Sequence, residues 1–153
     1  MKTHTYGASV HWTGAGSNGT TSYESYSRNH AICAEGKPAI AASSDAAFRG
    51  DSARYNPEEL LVASLSSCHM LWYLHLCAIN GVTVTEYRDD ASGAMEETGG
   101  GSAQFVNVDL RPVVTVAQTS QRAQALALHQ TAHRLCFIAR SVNFPVTVHA
   151  RVA

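Results

Sequence analysis

Charge is scarce in this chain and nearly balanced where it occurs: 15% of residues are charged, and 11 Lys and Arg against 12 Asp and Glu leave a net charge of −1. Such a balance exerts no strong pull on nucleic acid or an anionic membrane, and no basic run interleaved with aromatics occurs. Nor does any segment approach the roughly 18 consecutive apolar residues that a bilayer span needs. Met1-Lys2-Thr3-His4 opens without the apolar stretch of a signal peptide. The expectation is therefore a cytoplasmic protein with neither nucleic acid nor membrane as partner. No internal repeat and no low-complexity tract is visible, and 153 residues fit a single domain, 1–153. Cys-x-x-Cys pairs are missing too. The four cysteines, Cys33, Cys68, Cys77 and Cys136, lie far apart. In a reducing compartment such cysteines are buried hydrophobes, metal ligands or reactive thiols rather than structural disulfides.

What is present reads as a mixed α+β chain. Ala8–Trp12 and Thr21–Tyr26 are β-prone and flank the turn-rich stretch 13–19, which predicts an antiparallel hairpin. A less regular stretch through Gly36-Lys37-Pro38 and Arg49-Gly50-Asp51-Ser52 predicts a strand and a long loop. The strongest element is a helix from Pro57 to Asn80. Asn56 suits its N-cap, Pro57 its first position, Glu59 the third position of a capping box, and Gly81 a left-handed C-terminal cap. Leu61, Leu65, Cys68, Trp72, Leu76 and Ile79 fall on one predicted face. Strands are expected at Val82–Tyr87 and from Phe105 to Val116, with Gly99-Gly100-Gly101 between them. A second helix is expected from Ser120 to Arg140, with His129, His133, Cys136 and Arg140 along one side, then a last strand over Val146–Val152. Strands, helix, strands, helix, strand: the order predicts two helices against a sheet.

Cys68 and Cys136 would each lie mid-helix on an apolar face, and packed helices 8–10 Å apart bring facing cysteines within disulfide reach. Two readings stay open on periodicity alone, a redox pair or two small core residues. Cys77, nine positions after Cys68, turns to the opposite face, and like Cys33 it reads as structural. His129, His133 and Cys136, with Cys68 as a possible fourth, also carry zinc-ligand spacing. Gln130 stands where a helix-borne zinc protease would need its glutamate base.

Asn56-Pro57-Glu58-Glu59-Leu60, followed by Cys68 ten residues after Glu58, resembles the OsmC/Ohr family of organic hydroperoxide reductases. So does Cys136-Phe137-Ile138-Ala139-Arg140-Ser141-Val142-Asn143-Phe144-Pro145-Val146. The resemblance implies an OsmC-like fold, an antiparallel sheet with two long central helices, in an intertwined homodimer with two sites at the subunit interface. It implies Cys68 as peroxidatic cysteine, Cys136 as resolving cysteine and Glu58 as the partner of an essential arginine. Arg28 and Arg49 are the candidates for that arginine, with Arg54 a third. An organic hydroperoxide would be the substrate, a lipoyl-bearing protein or another dithiol the reductant, and neither cofactor nor metal would be needed.

That chemistry requires a thiolate, which burial disfavours and a neighbouring guanidinium restores. Trp72, Phe137 or Phe144 would supply an apolar surround favouring alkyl over hydrogen peroxide. Two other functions compete: a metal-dependent hydrolase built on His129, His133 and Cys136, and a non-catalytic binding module on the same fold.

Overall fold

A computed structural model describes the whole chain, residues 1–153. It divides into two compact units, Met1–Leu60 and Leu61–Ala153.

The first unit holds a three-stranded antiparallel sheet of β1 (Ser9–Trp12), β2 (His30–Cys33) and β3 (Ile40–Ala42). The predicted hairpin is corrected here: β1 pairs with β2, Trp12 opposite His30, and residues 21–26 form no strand. The long connection is closed by its own polar contacts. The Trp12 indole donates to the Ser27 carbonyl at 2.8 Å, and the Ser27 amide donates to the Gly14 carbonyl at 2.9 Å. Gly14 is required there, because a Cβ would collide with the Ser27 carbonyl. After β3, a short 3-10 turn at Ala46–Phe48 is capped by the Asp45 carboxylate and ends at Arg49, which adopts a left-handed φ of 61°.

Helix α1 (Pro57–Ile79) begins as its sequence predicts. The Glu59 amide donates to the Asn56 side chain at 2.8 Å, and the Asn56 amide donates to the Glu59 carboxylate at 3.1 Å, a reciprocal capping box. Its other end closes on Gly81 at φ 71°, with the Val82 amide reaching the Cys77 carbonyl at 2.9 Å and the Gly81 amide the Ala78 carbonyl at 3.3 Å. The buried face differs from the predicted one. Leu65, His69, Tyr73, Leu76 and Cys77 are buried, whereas Ile79 is exposed and Cys77, expected on the opposite face, lies in the core. Contrary to expectation, α1 is also long and apolar enough to cross a membrane by length and composition, a test that core helices of globular proteins pass as well.

The second unit carries β4 (Val84–Asp89), β5 (Ser92–Gly99), β6 (Ser102–Leu110), β7 (Pro112–Val116), helix α2 (Arg122–Leu135), β8 (Val146–Val148) and β9 (Arg151–Val152). They form two sheets, ordered β4-β7-β9 and β5-β6-β8. The expected strand from Phe105 to Val116 is two strands. The chain breaks at Arg111, whose amide is held by the Asp89 carboxylate at 2.6 Å. The last predicted strand likewise divides, β8 running parallel to β6 and β9 parallel to β7. The α+β class stands, with parallel pairings added to the antiparallel ones. Helix α2 stops at Leu135, five residues before its predicted end at Arg140. Cys136 turns to an extended ψ of 114°, and its carbonyl and sulfur take up the Arg140 and Ala139 amides of the next turn. Tyr73, Leu76, Cys77, Val82, Val114 and Ala125 form one core cluster; Leu65, Val108, Leu110 and Val146 form another.

Candidate active site

Cys68 sits in the middle of α1, where about three further turns on each side hold its backbone rigid, and its side chain is half-buried. Cys136 is 1% exposed and occupies the C-cap of α2 rather than its interior. The two thiols are side-chain neighbours. Burial pushes the Cys136 thiol up to about 11, with the Cys68 sulfur raising it further and the Ala139 and Ile138 amides opposing. The Ala139 amide donates to the Cys136 sulfur at 3.5 Å. Of the aromatics expected around the thiols, Trp72 stands one turn beyond Cys68 and meets Phe137 edge-on, ring centroids 5.3 Å apart. Phe144 instead packs on Phe105, at 5.5 Å, within the second core cluster. Cys77 is buried and its thiol raised by that burial, and Cys33 lies within β2; neither pairs with another cysteine.

The candidate arginines lie in the first unit. Arg28 is fixed by two carbonyls, donating to Tyr26 at 2.7 Å and Tyr23 at 2.8 Å. Its guanidinium lies over the rings of both tyrosines, 3.9 Å from the centroid of Tyr26 and 4.5 Å from that of Tyr23. Arg49 reaches the same Tyr23 ring at 5.7 Å from an exposed position. Arg54 is taken up by Asp51 at 3.5 Å. Arg28 also lines an open cavity of about 400 Å³ with Trp12, Tyr26, His30 and Pro57. Glu58 follows Pro57 and is half-buried, yet it forms no salt bridge with either Arg28 or Arg49. The neighbouring Glu59 is engaged in the helix cap, so Glu58 is the acidic side chain left free at this helix start.

The zinc-spaced stripe is not a ligand set: no three His, Cys, Asp or Glu side chains converge as a metal site. His129 turns instead to His69, a residue that sequence reasoning passed over. His69 Nε2 and His129 Nδ1 are 3.0 Å apart, with the rings nearly coplanar at 9° and their centroids 5.3 Å apart. The two nitrogens therefore lie close to the line between the rings, the geometry of one shared hydrogen bond. His129 also stacks on Tyr73 at 3.8 Å. Both histidines are buried, and burial holds them below the ordinary imidazole range, His69 at about 4 and His129 at about 3. The available signal was the run Leu65, His69, Tyr73, Cys77, a four-residue repeat along one side of the helix.

The α+β frame thus brings two of the four thiols together, one on a core helix and one at a helix end. The family of OsmC-like proteins matches residues 50–151, a span that includes Glu58, Cys68 and Cys136. The chain belongs to this family. An OsmC-like protein of unknown function from Vibrio cholerae is 32% identical, covers 97% of this chain and 100% of its own, and superposes with a TM-score of 0.87. Two structures share the fold at lower identity. An organic hydroperoxide resistance protein from Legionella pneumophila is 17% identical with a TM-score of 0.71, covering 100% of this chain and 99% of its own. One from Elizabethkingia anophelis is 19% identical with a TM-score of 0.69, again covering 100% and 99%. Among curated proteins no match is found.

Proposed function

We propose that this protein is a thiol-dependent peroxidase that reduces organic hydroperoxides. The observation that carries the reading is the adjacency of a half-buried Cys68 and a buried Cys136. A Cys68 thiolate attacks the terminal peroxide oxygen, the O–O bond breaks, and the alkoxide leaves and takes a proton to become the alcohol. Cys68 is then a sulfenic acid. Cys136 attacks it, releasing water and leaving a Cys68–Cys136 disulfide. A dithiol, such as a lipoyl group on a partner protein, takes the oxidising equivalents and returns both thiols. The half-buried Trp72 and the exposed Phe137, paired edge-on, favour alkyl or fatty-acid hydroperoxides over hydrogen peroxide. A reducing cytoplasm suits this cycle, with residues 1–153 serving as one functional domain.

Arg28 is the better candidate for the activating guanidinium, because its loop holds it in one orientation at the wall of a cavity. Glu58 would orient it. Glu58 and Cys68 are ten residues apart on α1, roughly 15 Å along the axis. One arginine can hardly touch both on the same helix, so in a homodimer Glu58 serves the Cys68 of the opposite subunit.

The test is turnover of cumene hydroperoxide with dihydrolipoamide, beside hydrogen peroxide. Alkyl hydroperoxide should be consumed at least about tenfold faster, the scale of a modest apolar-pocket preference; no turnover of either would end the peroxidase reading. Glu58→Ala and Cys68→Ser chains, each inactive alone, should regain activity when co-expressed as verified heterodimers, and no recovery would remove the cross-subunit assignment.

A further inference from the structure

We propose that His30 carries the proton of the reaction: its Nε2 takes the O–H proton of the hydroperoxide and delivers it to the departing oxygen. This rests on the peroxidase reading, with Arg28 as its guanidinium, and adds a second catalytic side chain to the cavity that Arg28 lines.

The placement of His30 supports it. The residue opens β2, the central strand of the first sheet, and pairs with Trp12 on one side and Ala42 on the other, so its backbone is fixed. Its Nδ1 lies 2.9 Å from the Arg28 carbonyl. A carbonyl only accepts, so Nδ1 carries the hydrogen, and in the neutral ring Nε2 keeps its lone pair. Nε2 itself makes no hydrogen bond within the chain. His30 and Arg28 both line the cavity of about 400 Å³, together with Trp12, Tyr26 and Pro57, and all five residues belong to the unit Met1–Leu60. Arg28 spends two of its five N–H groups on tyrosine carbonyls and keeps the rest as donors. A charged donor beside a lone-pair acceptor suits an –O–O–H group, whose oxygens accept and whose hydrogen donates. A carboxylate offers the acceptor no hydrogen.

In the step, the Cys68 sulfur bonds to the terminal oxygen as the O–O bond breaks. The terminal proton passes to Nε2 and then to the departing alkoxide oxygen, which leaves as the alcohol. Cys68 is left as a sulfenate, and a proton from water converts it to the sulfenic acid. The Arg28 carbonyl, bonded to Nδ1–H, stabilises the imidazolium formed in between.

The test compares leaving groups, using the full reduced chain. Cumene hydroperoxide expels an alkoxide, which needs a proton; peracetic acid expels acetate, which does not. Single-turnover oxidation of Cys68 is followed by peptide mapping. His30→Ala should slow oxidation by cumene hydroperoxide about a hundredfold, the lower end of what general acid–base catalysis supplies. With peracetic acid, and in alkylation by iodoacetamide, it should stay within about threefold of the wild type, because neither leaving group needs the proton. His30→Gln still hydrogen-bonds but cannot carry a proton, so it should be as slow as the alanine variant, and it replaces that variant if the smaller side chain loosens β2. Equal slowing with both oxidants, no slowing with either, or a glutamine variant at wild-type speed would overturn the proposal. A wild-type Cys68 that alkylates normally but ignores cumene hydroperoxide would overturn the peroxidase reading, and this step with it.

Discussion

Cys68 and His69 are consecutive residues of α1, and each meets a residue of its own kind from α2 or its cap, yet the two pairings differ in character. Cys68 is half-buried and faces a thiol that lies just beyond the last turn of α2. His69 is fully buried and faces His129, two turns earlier in α2, stacked on Tyr73. Both histidines keep one ring nitrogen without a partner, His69 Nδ1 and His129 Nε2. Leaving buried polar atoms unsatisfied costs about 1–3 kcal/mol each, so this pair is an expensive part of the core rather than an open site. The lesson is about access. A side-chain pair sealed in a core is out of a substrate's reach, whereas one with a half-buried member lies open to solvent on one side.

The comparison breaks most severely by substitution. Cys68→Ser should abolish hydroperoxide turnover while leaving the melting temperature close to that of the wild type. His69→Ala should do the reverse, lowering stability by about 2–4 kcal/mol in urea titration while the thiols still react with peroxide at low temperature. Activity lost in His69→Ala under conditions where it is folded would place the histidine in the chemistry and remove the distinction.

A smaller effect comes from pH. Unfolding returns both histidines to an ordinary pKa near 6.5, whereas folded they sit at about 4 and about 3. The unfolded chain therefore binds more protons below about pH 6.5, so stability falls as pH drops from there and levels off once pH has passed the folded values. Around His69 the proximity of His133 reinforces this and Asp89 opposes it; around His129 the neighbour is His69 itself. Urea midpoints should decline between pH 7 and pH 5, by roughly 2–4 kcal/mol in stability if both histidines contribute. A His69→Leu, His129→Leu double variant should flatten that slope, and an unchanged slope would assign the acid sensitivity elsewhere.

The parts of the fold that were legible in the sequence are those set by local chemistry. Asn56 and Glu59 form the box their spacing predicts, and Gly81 takes the left-handed conformation expected after a helix. What failed to show depended on partners distant in sequence. Strand β5 is exposed at every position, so Ser92–Gly99 carries no apolar alternation to reveal it. Tyr23 and Tyr26 look β-prone, but their rings and carbonyls clamp Arg28. Cys136 fits the helical spacing of His129 and His133, and only the amides of the following turn explain why the helix stops before it. At the candidate site, the cysteines came from motif spacing. The choice of Arg28 over Arg49 depends on hydrogen bonds that no spacing announces.

The most direct measurement adds one equivalent of cumene hydroperoxide to the reduced protein under anaerobic conditions and maps its disulfides by mass spectrometry. The account predicts one cumyl alcohol per chain and a single intramolecular Cys68–Cys136 bond, with Cys33 and Cys77 still reduced. Alcohol formed without that bond, or the bond found between other cysteines, would contradict it.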